Sequence, residues 1–146
     1  MDTVLRTLAL LSCLLGAATA AKKTIIHVDG WPESPLYSHG VLVGDTLYVA
    51  GTVGVDMDAG ALCAGGIGPE TKCAFDNIAA VLDAAGTTLD NVVDCTVFLG
   101  TMDDYDAMNA IYETVFASEP PARAAFAAAG LAMNASAEFK CIATMP

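Results

Sequence analysis

Positive charge is scarce in this chain: 6 Lys and Arg stand against 17 Asp and Glu, a formal charge of -11 over 146 residues. A surface that binds phosphate backbones must replace condensed counterions with ammonium and guanidinium groups, and too few are available here. Nucleic acid is therefore not an expected partner. Catalytic signatures are missing too. There is no G-x-S-x-G elbow, no H-E-x-x-H and no G-x-x-x-x-G-K-[ST] phosphate loop. No C-x-x-C occurs, and His27 and His39 are the only histidines, so no metal site is expected. Gly (13) and Pro (6) are spread without a period, which excludes collagen-like and low-complexity chains. What remains, at 55% hydrophobic residues, is the composition of one globular domain.

The first twenty residues differ from the rest. Leu8 to Ala18 is almost wholly apolar, Arg6 precedes it, and Ala18-Thr19-Ala20 supplies the small residues that flank a signal-peptidase cut. A core helix or a membrane anchor is the competing reading, but the run is short for a bilayer and Ala21-Lys22-Lys23 follows it directly. Residues 1–20 are read as a cleaved signal peptide and 21–146 as a single mature domain, secreted or lumenal and free of the membrane. A bipartite leader to a plastid of secondary origin is the alternative. Loss of Asp2 and Arg6 together keeps the charge at -11 and leaves Arg123 as the only arginine.

Export leaves Cys63, Cys73, Cys95 and Cys141 in an oxidising compartment. Sequence alone does not choose among their three pairings. Closeness across a glycine-rich turn favours Cys63 with Cys73, leaving Cys95 and Cys141 as small buried hydrophobes. Asn134-Ala135-Ser136 fits the glycosylation acceptor pattern in a loop between two strand-like runs.

From Lys22 onward the pattern is that of one α+β layer. Thr24 to Val28 is a short strand, and Gly40 to Val43 with Thr46 to Thr52 form a hairpin turned at Gly44-Asp45. Ala61 to Ala64 adds a small strand. Pro69 opens a helix that Gly86 closes, with Ala74, Ile78, Val81, Leu82 and Ala85 on its apolar face. From Asn91 to Leu99 the period becomes two, with Val93, Cys95, Val97 and Leu99 pointing one way. Thr101 with Asp104 starts a second helix whose stripe is Met108, Ile111, Tyr112, Val115 and Phe116, and Pro120-Pro121 ends it. Ala122 to Ala128 and Ala137 to Thr144 are the last strands. Both helices then cover one face of a single sheet. The other face mixes Val92, Phe98 and Ile142 with Asp94, Thr96, Glu138 and Lys140, which suits burial against further copies of the chain better than water.

Arg123 stands at the head of a strand just past two prolines. Its planar fork matches the two oxygens of a carboxylate, which makes it a candidate for holding a small organic acid; a surface ion pair is the plain alternative. Glu138 faces away from the helices. It is either a solvated strand residue or, if it shares a cleft with Arg123, a group that orients and deprotonates a water. Tyr37, Asn109 and Tyr112 are further candidates for the cleft lining, although Tyr112 lies on the apolar stripe and fits the core.

The ordered set Tyr37-Ser38-His39-Gly40, Val43-Gly44-Asp45, Leu47 to Gly51, Asp76 to Leu82 with Ala84-Ala85-Gly86, Val92 to Leu99, and Pro121-Ala122-Arg123 with Glu138 resembles the Rid family (RidA, YjgF, YER057c, UK114) from about Lys22 to Thr144. The resemblance implies a chorismate-mutase-like fold with one mixed sheet, a homotrimer with clefts between subunits, and no cofactor. It further implies hydrolysis of reactive enamine/imine acids such as 2-iminopropanoate and 2-iminobutanoate to 2-oxo acids and ammonia. Carried over by position, Arg123 matches the arginine that holds the substrate carboxylate and Glu138 the glutamate that places water. Tyr37 and Asn109 match cleft residues. Departures are Ala50 for a usual serine, Ala125 for a frequent cysteine, His39 for a glutamine and Lys140 for a second acid. Ala125 can still offer a backbone carbonyl to substrate or water. Some relatives have been linked to translation inhibition or ribonuclease activity, against which the charge of -11 argues. The competing class is a non-catalytic secreted trimer that captures small carboxylates or protects partner proteins.

Overall fold

The computed structural model describes residues 21–146; the leader assigned to 1–20, with Cys13, lies outside the described residues. In chain order the elements are β1 (Lys23–Ile26), β2 (Gly40–Val43), β3 (Thr46–Val49), β4 (Thr52–Val53), β5 (Val55–Asp56), β6 (Ala61–Leu62), α1 (Ile67–Ala85), β7 (Val92–Leu99), α2 (Tyr105–Val115), β8 (Ala122–Ala127) and β9 (Ala137–Thr144). The main sheet runs β1-β2-β3-β9-β7-β8, with β4 also paired to β9, and β5-β6 form a separate ribbon. Every pairing is antiparallel except β7 with β8, which α2 joins as a crossover. The expected mixed sheet with two helices on one face is what forms.

The expected hairpin strand is interrupted at Ala50-Gly51, and β4 resumes beside β9, opposite Phe139 and Glu138. Helix α1 begins two residues before Pro69, at Ile67. Proline is tolerated there because N–H groups of the first turn have no intrahelical acceptor. Gly86 closes α1 in the left-handed region (φ 87°), a conformation glycine adopts without strain. Thr101 Oγ1 accepts the Asp103 N–H at 3.2 Å, capping a short 3-10 turn that leads into α2.

Phe75 of α1 joins the layers. Its ring centroid lies 5.6 Å from Tyr112 and 5.4 Å from Phe116 at the end of α2, and 4.6 Å from Phe139 of β9. Leu47, Ile78, Leu82, Val97, Leu99 and Met108 complete a closed core. Each such side chain contributes about 1.5–3 kcal/mol by leaving water.

Two expectations fail for physical reasons. Val93 does not point inward with Cys95: a bulge between Val92 and Asp94 turns it out to 47% exposure and puts Val92 in the core. Cys95 and Cys141 are buried but are not free thiols. They stand opposite each other on β7 and β9, with Cα atoms 4.2 Å apart, and form a disulfide. Pairing across 46 positions follows from strand register, which chain proximity does not reveal. Cys63 and Cys73, close in sequence, are bonded as expected.

Candidate functional site

Arg123 lies on β8, the last strand of the sheet, beside Cys95 of β7. Parallel neighbours project their side chains the same way, so Arg123 shares the helix-covered face with buried Cys95. There α2 receives it. Arg123 Nη1 donates to Asn109 Oδ1 at 2.7 Å and Nη2 donates to the Tyr105 hydroxyl at 3.2 Å. Its Cζ sits 4.6 Å from the ring centroid of Tyr112 and 5.7 Å from that of Tyr105. A cation over an aromatic face is held by the ring quadrupole without losing its charge. Among the described residues no carboxylate pairs with Arg123. The guanidinium is thus aimed by neutral groups and stays free for an anion. A surface ion pair, the plain alternative, does not form.

Tyr112 is core, as its place on the apolar stripe suggested, and it is also the floor beneath Arg123. Burial pushes its hydroxyl up to a pKa of about 12; the Arg123 charge opposes this and Asp94 adds to it. The buried hydroxyl has no hydrogen-bond partner among the described residues. Tyr105 enters the site unforeseen. It lies in the first turn of α2, and only the position four residues before Asn109, one helical turn away, could have signalled that both reach the same guanidinium. Ala125, two residues after Arg123, is half-buried against the core on the same side.

Glu138 is elsewhere. It points out from β9 between Phe98 of β7 and Val53 of β4, on the face the helices leave open. It borders a cavity of about 680 Å³ together with Tyr37, His39, Ala50, Gly51 and Met133. Gly51 creates its space, since a Cβ there would collide with Glu138 Oε1. Tyr37 is 61% exposed on a loop tied down by His39, whose Nδ1 accepts the Val28 N–H at 3.1 Å while Nε2 lies 3.2 Å from the Pro32 carbonyl. The Trp31 and His39 rings meet in a T-shaped arrangement, with centroids 5.3 Å apart.

A single chain therefore carries two candidate half-sites on opposite faces of the sheet. One is cationic (Arg123, Asn109, Tyr105 at the β8 edge) and one anionic (Glu138, Tyr37 on the open face). The sequence-derived candidates fall into both halves, and within one chain Arg123 and Glu138 do not meet. Asn134, in the β8–β9 loop, is exposed at φ 56° beside Met133. Ser136 of the same acceptor pattern donates from its hydroxyl to Glu70 Oε1 at 3.0 Å and from its N–H to Glu70 Oε2 at 2.7 Å.

Comparison with known proteins places this arrangement among relatives. A family model described as Endoribonuclease L-PSP matches residues 30–145. The chain is 42% identical over 107 residues to 2-iminobutanoate/2-iminopropanoate deaminase of Rattus norvegicus, covering 73% of this chain and 78% of the relative. It is 38% identical over 130 residues to the RutC family protein UK114 of Drosophila melanogaster, covering 89% and 87%. Among solved structures it superposes on RidA from an Antarctic Psychrobacter with a TM-score of 0.78 at 31% identity, covering 84% and 99% of the two chains. The YjgF gene product of E. coli gives 0.79 at 27% identity, covering 86% and 100%.

Proposed function

Because the chain belongs to the Endoribonuclease L-PSP family, the YjgF/RidA family, we propose that it hydrolyses reactive 2-imino acids such as 2-iminopropanoate and 2-iminobutanoate to 2-oxo acids and ammonia, in clefts between the subunits of a homotrimer. The observation that carries this reading is a guanidinium held by Asn109 and Tyr105 with no paired acid among the described residues, while Glu138, a carboxylate suited to activating water, stands on the opposite face. Two half-sites of opposite charge on one rigid sheet can serve one substrate only across a chain boundary. The open face supports such an assembly: Phe98 packs on Phe126, centroids 5.2 Å apart, and Phe126 and Tyr48 remain 47% and 45% exposed.

The chemistry asks little of the protein. The carbon of a protonated imine is already electrophilic, so rate comes mainly from fixing the carboxylate and directing water. Arg123 grips the substrate carboxylate in a bidentate pair. Glu138 of a neighbouring copy takes a proton from water as its oxygen bonds to C2. The tetrahedral adduct then collapses: Glu138 returns its proton to nitrogen, the C2 hydroxyl gives up its proton as the C2–O double bond forms, the C2–N bond breaks, and ammonia leaves carrying the hydroxyl proton as ammonium, with a 2-oxo acid remaining. No cofactor or metal takes part in this sequence. Tyr37 closes the cleft beside Glu138, and Asn109 holds Arg123 in place. Ala125 offers its backbone carbonyl to the water.

Two disulfides within one small domain support a secreted or lumenal location, as the leader does, and Asn134 is the residue that would carry sugar there. The test generates 2-iminopropanoate with a serine dehydratase and follows its decay with native protein and with Arg123→Ala. Faster decay with native protein alone is expected. Equal rates reject the enzyme and leave a carboxylate-binding protein.

A further inference from the structure

Beside the Glu138 cavity lies a second hollow of about 480 Å³, bordered by Lys23 of β1, Lys140 of β9, Tyr37, Ser34, Tyr48 and Ala50. Tyr37 and Ala50 also border the first cavity, so the two hollows are neighbours that share a wall. No Asp or Glu lines the hollow. That is unusual in a chain of charge -11. Lys72 is paired with Asp76 at 2.6 Å, whereas neither Lys23 nor Lys140 forms an ion pair among the described residues. Two lysines without an ion-pair partner among the described residues thus border one hollow beside the cavity of the proposed water-activating carboxylate.

Strand geometry sets the spacing. Residues i and i+2 project from the same face about 7 Å apart, so Lys140 stands one such step from Glu138 along β9. The second carboxylate of a four- or five-carbon diacid lies roughly 4–5 Å from the first, counted in carbon–carbon bonds of about 1.5 Å. The flexible four-carbon stem of lysine covers the difference.

We propose that this hollow is a subsite for a distal carboxylate, and that the preferred substrates are 2-imino dicarboxylic acids such as iminosuccinate and 2-iminoglutarate. This rests on the deaminase reading of the same cleft and adds its substrate class. Arg123 of one copy holds the C1 carboxylate, the imine carbon faces Glu138, and the side-chain carboxylate meets Lys140 with Lys23 behind it.

The test compares kcat/KM for 2-iminopropanoate, iminosuccinate and 2-iminoglutarate in native protein, Lys140→Met and Lys23→Met/Lys140→Met. Both lysines are exposed, so folding is not at stake. The expected result is at least a tenfold preference for the dicarboxylic imines, lost in Lys140→Met through KM, with 2-iminopropanoate turnover unchanged. Equal effects on all three imines, or none on any, overturn the subsite. Calorimetric titration with 2-oxoglutarate against 2-oxobutanoate gives a readout independent of turnover. If no imine is hydrolysed, the deaminase reading falls, and the subsite then stands or falls on whether 2-oxoglutarate binds more tightly and loses that advantage in Lys140→Met.

Discussion

Replacing Gly51 with Ala tests whether the position of the Glu138 carboxylate, rather than its mere presence, sets the rate. The added Cβ would occupy the place of Glu138 Oε1. Gly51 is exposed and is not among the residues with positive φ, so alanine fits its backbone, and the change in stability stays within about 1 kcal/mol. The collision is relieved by swinging the far end of the Glu138 side chain, which moves the carboxylate by an ångström or more. Misplacing a catalytic group by about 1 Å costs on the order of 100-fold in rate, about 2.7 kcal/mol in the barrier. Arg123 lies on the opposite face and is untouched, so KM should stay within about threefold while kcat falls about 100-fold. The assay is decay of 2-iminopropanoate generated in situ, with thermal unfolding followed in parallel. A folded Gly51→Ala protein with native kcat would refute the role given to Glu138. A large fall in melting temperature would show instead that Gly51 serves packing.

Asn109→Ala removes the 2.7 Å acceptor that aims Arg123 and should raise KM about tenfold with a smaller effect on kcat, measurable in the same assay. Removing the Cys95–Cys141 bond with the Cys95→Ala/Cys141→Ala pair opens a loop of 46 positions and should cost about 4 kcal/mol in urea unfolding; a loss below about 1 kcal/mol would contradict a bond that restrains the unfolded chain. Tyr112 links stability to alkaline pH. Its pKa is about 12 in the fold against about 10 unfolded, so its contribution is fully present below pH 10 and is lost as pH rises toward 12, about 3 kcal/mol in all. Tyr112→Phe should flatten that part of the stability profile, and an unchanged slope would place the titration elsewhere.

Period and capping made most of the fold legible. Both helices, the hairpin and the three long strands follow from apolar spacing and from Gly44, Pro69 and Gly86. What escaped reading depends on partners distant in sequence. The bulge at Val93 arises from how β7 meets β9 and leaves no mark in a run of β-branched residues. The Cys95–Cys141 bond needs strand register. Gly51 leaves room for Glu138, 87 positions later in the chain, and nothing local to Gly51 announces it. Chemistry and resemblance single out Arg123, Asn109 and Glu138, but a linear reading does not show that Arg123 and Glu138 lie on opposite faces of the sheet. Tyr105 was missed because a tyrosine at the start of a helix carries no signal of its own.

If the proposed reading holds, Arg123 and Glu138 act on one substrate from different chains. Arg123→Ala and Glu138→Gln proteins, each inactive alone, should be unfolded, mixed in equal amounts, refolded and assayed together. If each cleft draws its arginine from one copy and its glutamate from the next, random mixing leaves both groups intact in one of four clefts, and activity returns to about a quarter of native. A mixture that assembles but stays as inactive as its two parents would contradict the account.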